Sequence, residues 1–120
     1  MRVVSVSCGA TRVVAGIAER RRERMRGLIG GHAPGALLLP GTRSVHSFGM
    51  RQPIDAVLLD AELRVLEVVR LRPRRLLVRT ARVRHVLEVP RSPFRIGDVV
   101  RIAGERSAGE KAEELKEQDG

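Results

Sequence analysis

The sequence predicts a mainly β (α+β) domain: a compact, mostly antiparallel sheet or small barrel, with one short N-terminal helix and a disordered C-terminal tail. Three observations carry this. Short apolar runs recur along the chain and are broken by Gly- and Pro-containing turns, the rhythm of strands in an all-β layer. Hydrophobic residues make up 42% of the 120 residues but aromatic ones only 2%, with no Trp or Tyr, so the core is built from Val, Leu, Ile and Ala. Such side chains suit a pleated surface. A single segment, between Ala18 and Ile29, has helical spacing instead. The length fits one domain, placed at residues 1–103, followed by an acidic flexible tail at 104–120.

Each element has its own reason. Val3 to Ser7 alternates apolar and small polar residues, the period of a half-buried strand, and Gly9 breaks it; Val13 and Val14 mark a second short strand. Ala18, Met25, Leu28 and Ile29 form the apolar stripe of the predicted helix, which Gly30-Gly31 stops. Its charged side, Glu19 to Arg26, reads as a solvated face in which Glu19 and Glu23 offset the arginines. Ala36 to Leu39 is a strand closed by the Pro40-Gly41 turn. Ile54 to Asp60 is apolar on both faces and therefore belongs inside a sheet. Arg64 to Leu71 alternates again, and the short Ala61-Glu62-Leu63 connection makes the two a hairpin. Leu76 to Val78, flanked by arginines, is an exposed edge. Val83 to Val89 and Val99 to Ala103 are the last strands, separated by Pro90, Pro93 and the Gly97-Asp98 turn.

The net charge of +9 is unevenly spread. From Gly104 onward there are three basic and six acidic residues, which leaves 20 basic against 8 acidic, or +12, on the body. A basic body attracts anions, so nucleic acid or another polyanion is one partner class to weigh. The near absence of aromatic residues removes the stacking platforms of single-strand binders. Arginines spaced along strands also describe an ordinary solvated face. Cys8 is the one cysteine, so no internal disulfide forms, which fits a reducing cytoplasm. No run approaches the ~18 apolar residues of a membrane span, and none reads as a signal-peptide core.

Several pieces in this order resemble domain-of-unknown-function family 192. They are Arg26-Gly27-Leu28-Ile29-Gly30, Ala36 to Leu39, Ser44-Val45-His46-Ser47-Phe48-Gly49-Met50, Pro53-Ile54-Asp55, Leu58-Leu59-Asp60, Val65 to Val69, Val86-Leu87-Glu88-Val89-Pro90 and Gly97-Asp98. The resemblance covers roughly Ala15 to Ile102. It implies a compact, mainly β domain with a short helix near its start and a shared motif around Met50 and Asp55. It implies no activity. The Ala61-Glu62-Leu63 turn departs from the family by lacking its usual glycine.

The most unusual chemistry lies in Ser44 to Asp55. If Val45 to Met50 is extended, His46, Phe48 and Met50 share one face, while Asp55 lies on the face of Val57 and Leu59. Gly49 and Pro53 can re-aim these pieces toward each other. The expected function is a non-enzymatic binding or interaction module, with a small pocket around His46, Met50 and Asp55. Phe48 and Arg51 are further ligand contacts, and Arg43 or Arg70 supplies positive charge to a small polar or anionic ligand. A hydrolase-like or metal-assisted enzyme is the alternative, with Asp55 orienting His46 as a general base, or His46 and Met50 ligating a soft metal. A second alternative is a basic surface for nucleic acid. A purely architectural role would have Phe48 and Met50 in the core and Asp55 capping a turn or paired with Arg51. No metal site or cofactor is assigned, since neither zinc-ligand spacing nor a phosphate-binding glycine loop occurs.

Overall fold

The computed structural model describes residues 2–18, 35–42, 44–46, 51–78 and 82–105. Among these residues there are nine strands in chain order: β1 (Arg2–Cys8), β2 (Thr11–Ile17), β3 (Leu37–Pro40), β4 (Ser44–His46), β5 (Ile54–Leu59), β6 (Val65–Leu71), β7 (Leu76–Val78), β8 (His85–Val89) and β9 (Arg101–Glu105). The predicted helix falls on residues outside the described ones, apart from Ala18. Among the described residues there is no helix, and none long and apolar enough to cross a membrane.

Seven strands form one open, mixed sheet in the order β6-β5-β8-β3-β2-β1-β9, and β4 pairs with β7 in a separate ribbon. Every pairing in the large sheet is antiparallel except β2 with β3, which meet over Gly16↔Leu37 and Ile17↔Leu38. The two hairpins follow from local chemistry. Gly9 turns the chain between β1 and β2 with φ 59, a left-handed conformation that glycine adopts freely. β2 is longer than its Val13-Val14 nucleus suggests because the partner strand pairs with it along all seven residues. β9 likewise runs on through Gly104 and Glu105, which pair with Val4 and Val3.

The β5-β6 turn shows how a missing glycine is managed. Leu63 takes φ 65, a region that costs a side-chain-bearing residue roughly 1–2 kcal/mol. Asp60 offsets that strain by holding the turn from one place. Its backbone carbonyl accepts from Leu63 N at 3.0 Å, and its Oδ1 accepts from Glu62 N and Arg64 N, both at 2.9 Å. Leu63 also packs against the core, which a glycine could not do.

The sheet curls. One apolar cluster joins Val4 and Val6 of β1 to Val57 and Leu59 of β5, Val65 of β6, Leu87 and Val89 of β8, and Phe94. Elements near opposite ends of the strand order can share one cluster only if the sheet wraps around it. The ends are tied at one corner by an Arg64↔Val99 bridge, with Val65 N donating to Asp98 O at 2.7 Å and Val100 N donating to Leu63 O at 2.9 Å. The arrangement is thus an open sheet closed at one corner rather than along its length. A second cluster covers the opposite face with Leu37, Leu39, Ile54, Ala56, Leu58, Val86 and Leu77 of the small ribbon. β5 lies between β6 and β8 and is buried at all six positions, which is why its sequence is apolar on both faces. At roughly 1.5–3 kcal/mol for each large aliphatic side chain removed from water, these two layers supply the main driving force for folding.

Candidate functional site

Asp55 enters the structure near the start of β5, opposite Arg70 of β6 and Val89 of β8. It faces the curled side of the sheet, as its alternation with Val57 and Leu59 predicts, and is only 8% exposed. A carboxylate taken that far from water needs partners. Its Oδ1 accepts from Arg70 Nη1 at 2.9 Å, and its Oδ2 accepts from Ser92 N at 2.6 Å. The same Arg70 nitrogen donates to Pro90 O at 2.6 Å. Asp55 therefore pairs with Arg70 and not with Arg51, which is exposed at the approach to β5. Register explains this: in a hairpin that opposes Asp55 to Arg70, the guanidinium is already beside the carboxylate.

These contacts fix the segment after β8. Ser92 Oγ accepts from Phe94 N and donates to Phe94 O, both at 3.0 Å, which turns Phe94 inward to 3% exposure. The Pro90–Phe94 segment is thus anchored on one side by Asp55 and Arg70 and plugged into the core by Phe94. Against it lies an open cleft of about 480 Å³. Its walls are Arg12, Val13 and Val14 of β2, Gly35 and Ala36 before β3, and Val89, Pro90, Arg91 and Pro93. The interior is mainly apolar, and arginines from two separate elements stand at it.

The other predicted site residues are placed unevenly. Phe48 and Met50 lie outside the described residues, as does Arg43. His46 ends β4 and pairs with Leu76 of β7, but its side chain is outside the described set, so no His46–Asp55 contact is defined. Among the described residues no group of three or more His, Cys, Asp or Glu side chains is placed to hold a metal ion.

Two groups stand out that the sequence did not single out. Glu88 of β8 is 4% exposed and sits between Leu37 and Ala56 in the register, on the apolar face carrying Val86. Burial disfavours its charged form and pushes its pKa from 4.5 up to about 7. No hydrogen bond or ion pair to its carboxyl occurs among the described residues. Ser92 is the other; its backbone N–H reaches Asp55 across 37 positions of sequence, and nothing local announces it.

The fold and this anchored corner define a small, mainly β domain in which the partly buried Asp55–Arg70 ion pair holds a loop beside a cleft. The chain belongs to domain-of-unknown-function family 192, described as an uncharacterized ACR, whose model matches residues 3–102. A relative is the UPF0127 protein PH1112 of Pyrococcus horikoshii, 42% identical over 48 residues. That match spans 40% of this chain and 42% of the relative, so less than half of either is covered. The fold is shared with a protein of unknown function from Novosphingobium aromaticivorans, at TM-score 0.64 and 19% identity, covering 82% of this chain and 83% of that one. It is shared also with a Sinorhizobium meliloti protein provisionally assigned as a transcription regulator, at TM-score 0.61 and 16% identity, covering 86% and 92%. At those identities the likeness concerns the fold.

Proposed function

We propose that this domain is a non-enzymatic binding module for a small polar or anionic ligand, held at the corner where Asp55 anchors the Pro90–Phe94 segment. The observation that carries this reading is the cleft of about 480 Å³ beside that segment, within the ~300–1,000 Å³ range of small-ligand sites. Both Asp55 oxygens already accept hydrogen bonds, which makes Asp55 a support for the cleft wall and a poor candidate to orient a catalytic base. His46, Phe48, Met50 and Arg51 remain the sequence-derived candidates for further ligand contacts. The unpaired Cys8 favours a reducing, cytoplasmic setting.

The test is a thermal-shift screen of small anions and polar metabolites on the wild type and on Asp55→Asn. A ligand that binds only the folded state at a hundred times its Kd stabilises by about 2.7 kcal/mol, which is several degrees in Tm. A hit that disappears in Asp55→Asn supports the module and its location. A broad screen without a hit, or a hit indifferent to Asp55, argues against it.

A further inference from the structure

Resting on that reading, we infer that the cleft takes a small apolar carboxylate, bound by the edge of β2 together with Arg12 and Arg91. The first support is a gap in the sheet. β2 pairs with β3 only at Gly16 and Ile17, because β3 begins at Leu37; the Thr11 to Val14 half of β2 faces no strand on that side among the described residues. Gly16 N and Ala18 N donate toward the β3 side, to Ala36 O at 3.0 Å and Leu38 O at 2.9 Å. Backbone direction alternates along a strand, so the N–H group of Val14 points the same way, into the cleft.

The second support is the composition of the walls. Val13, Val14, Ala36, Val89 and Pro93 make an apolar chamber. Arg12 comes from one wall and Arg91, which is exposed, from the other. A carboxylate matches a strand-edge N–H and guanidinium groups, all of which are donors, through charge-assisted hydrogen bonds. An aliphatic body matches the chamber. A fully polar anion such as inorganic phosphate would meet the donors but leave the apolar walls unused, and a neutral analogue would fill the walls but forfeit the charge.

The experiment is an amide-resolved NMR titration of the full chain with hexanoate, hexanamide, inorganic phosphate, and an apolar tripeptide with a free or amidated C-terminus. Hexanoate should saturably shift amides around Arg12 to Val14 and Val89 to Pro93. Hexanamide should bind about tenfold more weakly, the loss expected for a charge-assisted hydrogen bond. Arg91→Gln should weaken hexanoate by a similar factor while leaving hexanamide unchanged. Arg95→Gln, the same loss of charge on a residue outside the cleft, should leave both unchanged. Equal binding of acid and amide would overturn the carboxylate assignment and leave the binding module standing. Tighter binding of the tripeptide acid than of hexanoate would overturn the small-molecule assignment in favour of a chain terminus. Tighter binding of phosphate than of hexanoate would overturn the apolar-body requirement. No saturable shift at the cleft with hexanoate would overturn the inference, whereas the module itself falls on the thermal-shift screen, if that is empty or its hit is indifferent to Asp55.

Discussion

Glu88→Gln should make the protein more stable at neutral and alkaline pH, with the gain fading under mild acid. Glu88 is flanked by Leu37 and Ala56, both fully buried, and its folded-state pKa is raised from 4.5 to about 7. The sign follows from proton binding. Below the unfolded value the carboxyl is neutral in both states and burial carries no electrostatic cost. As pH rises toward the folded value, the unfolded chain ionises more readily than the native one, so stability falls, and the full cost is reached above it. A displacement from 4.5 to about 7, at about 1.4 kcal/mol for each pH unit, corresponds to a cost on the order of 3 kcal/mol above neutrality. Gln has nearly the same shape and no charge, so the difference between variant and wild type isolates this one group from every other carboxyl. Urea denaturation of both proteins between roughly pH 4 and pH 8 measures it, provided the m values agree. The variant should gain up to about 3 kcal/mol at the alkaline end and converge on the wild type at the acid end. Stability curves that run parallel across the range would refute the reasoning, because they would mean that Glu88 ionises equally in both states.

Asp55→Ala should destabilise by about 1–3 kcal/mol, since it strands the Ser92 N–H and frees Arg70. Arg70→Met should cost a similar amount, about 1–3 kcal/mol, because it leaves Oδ1 of the buried Asp55 carboxylate without this donor, with the 39% exposure of the Arg70 side chain keeping the loss toward the lower end. A double-mutant cycle in urea separates the two, and a strictly additive cycle would show that the ion pair contributes nothing. Leu87→Ala, at a fully buried position of the curled face, should lose about 2–5 kcal/mol, whereas Val99→Ala, 48% exposed, should change stability by about 0.5 kcal/mol or less. Equal effects at the two positions would contradict the assignment of the core.

The strands were legible because their signals are local. Alternation in Val3 to Ser7, the doubly apolar Ile54 to Leu59 run, and the turns at Gly9 and Ala61 to Leu63 each depend on residues a few positions apart, and β1, β5 and β6 appear there. Asp55 was half legible. Its face follows from its parity with Val57 and Leu59, and its partner Arg70 could have been found by counting the hairpin register, where the two residues oppose each other. Ser92 could not, because the chain folds back from β8 to reach Asp55. Glu88 shows the opposite failure. Its strand was read from Val83 to Val89, but that a second apolar layer covers the face of Val86 and Glu88 depends on Leu37 and Ala56, which are distant in sequence.

By itself the sequence determined the strand content, the turn positions and the aliphatic core, and its resemblance identified the family, since periodicity, turn chemistry and motif order are properties of neighbouring residues. Tertiary structure alone decided which strands pair, that β2 meets β3 in parallel and only at its end, and that the sheet's two edges are tied near Arg64 and Val99. Those choices follow from how two apolar faces are covered at once, which no short window of sequence contains. They also place Asp55 between Arg70 and Ser92, next to a cleft where the first half of β2 meets no further strand among the described residues.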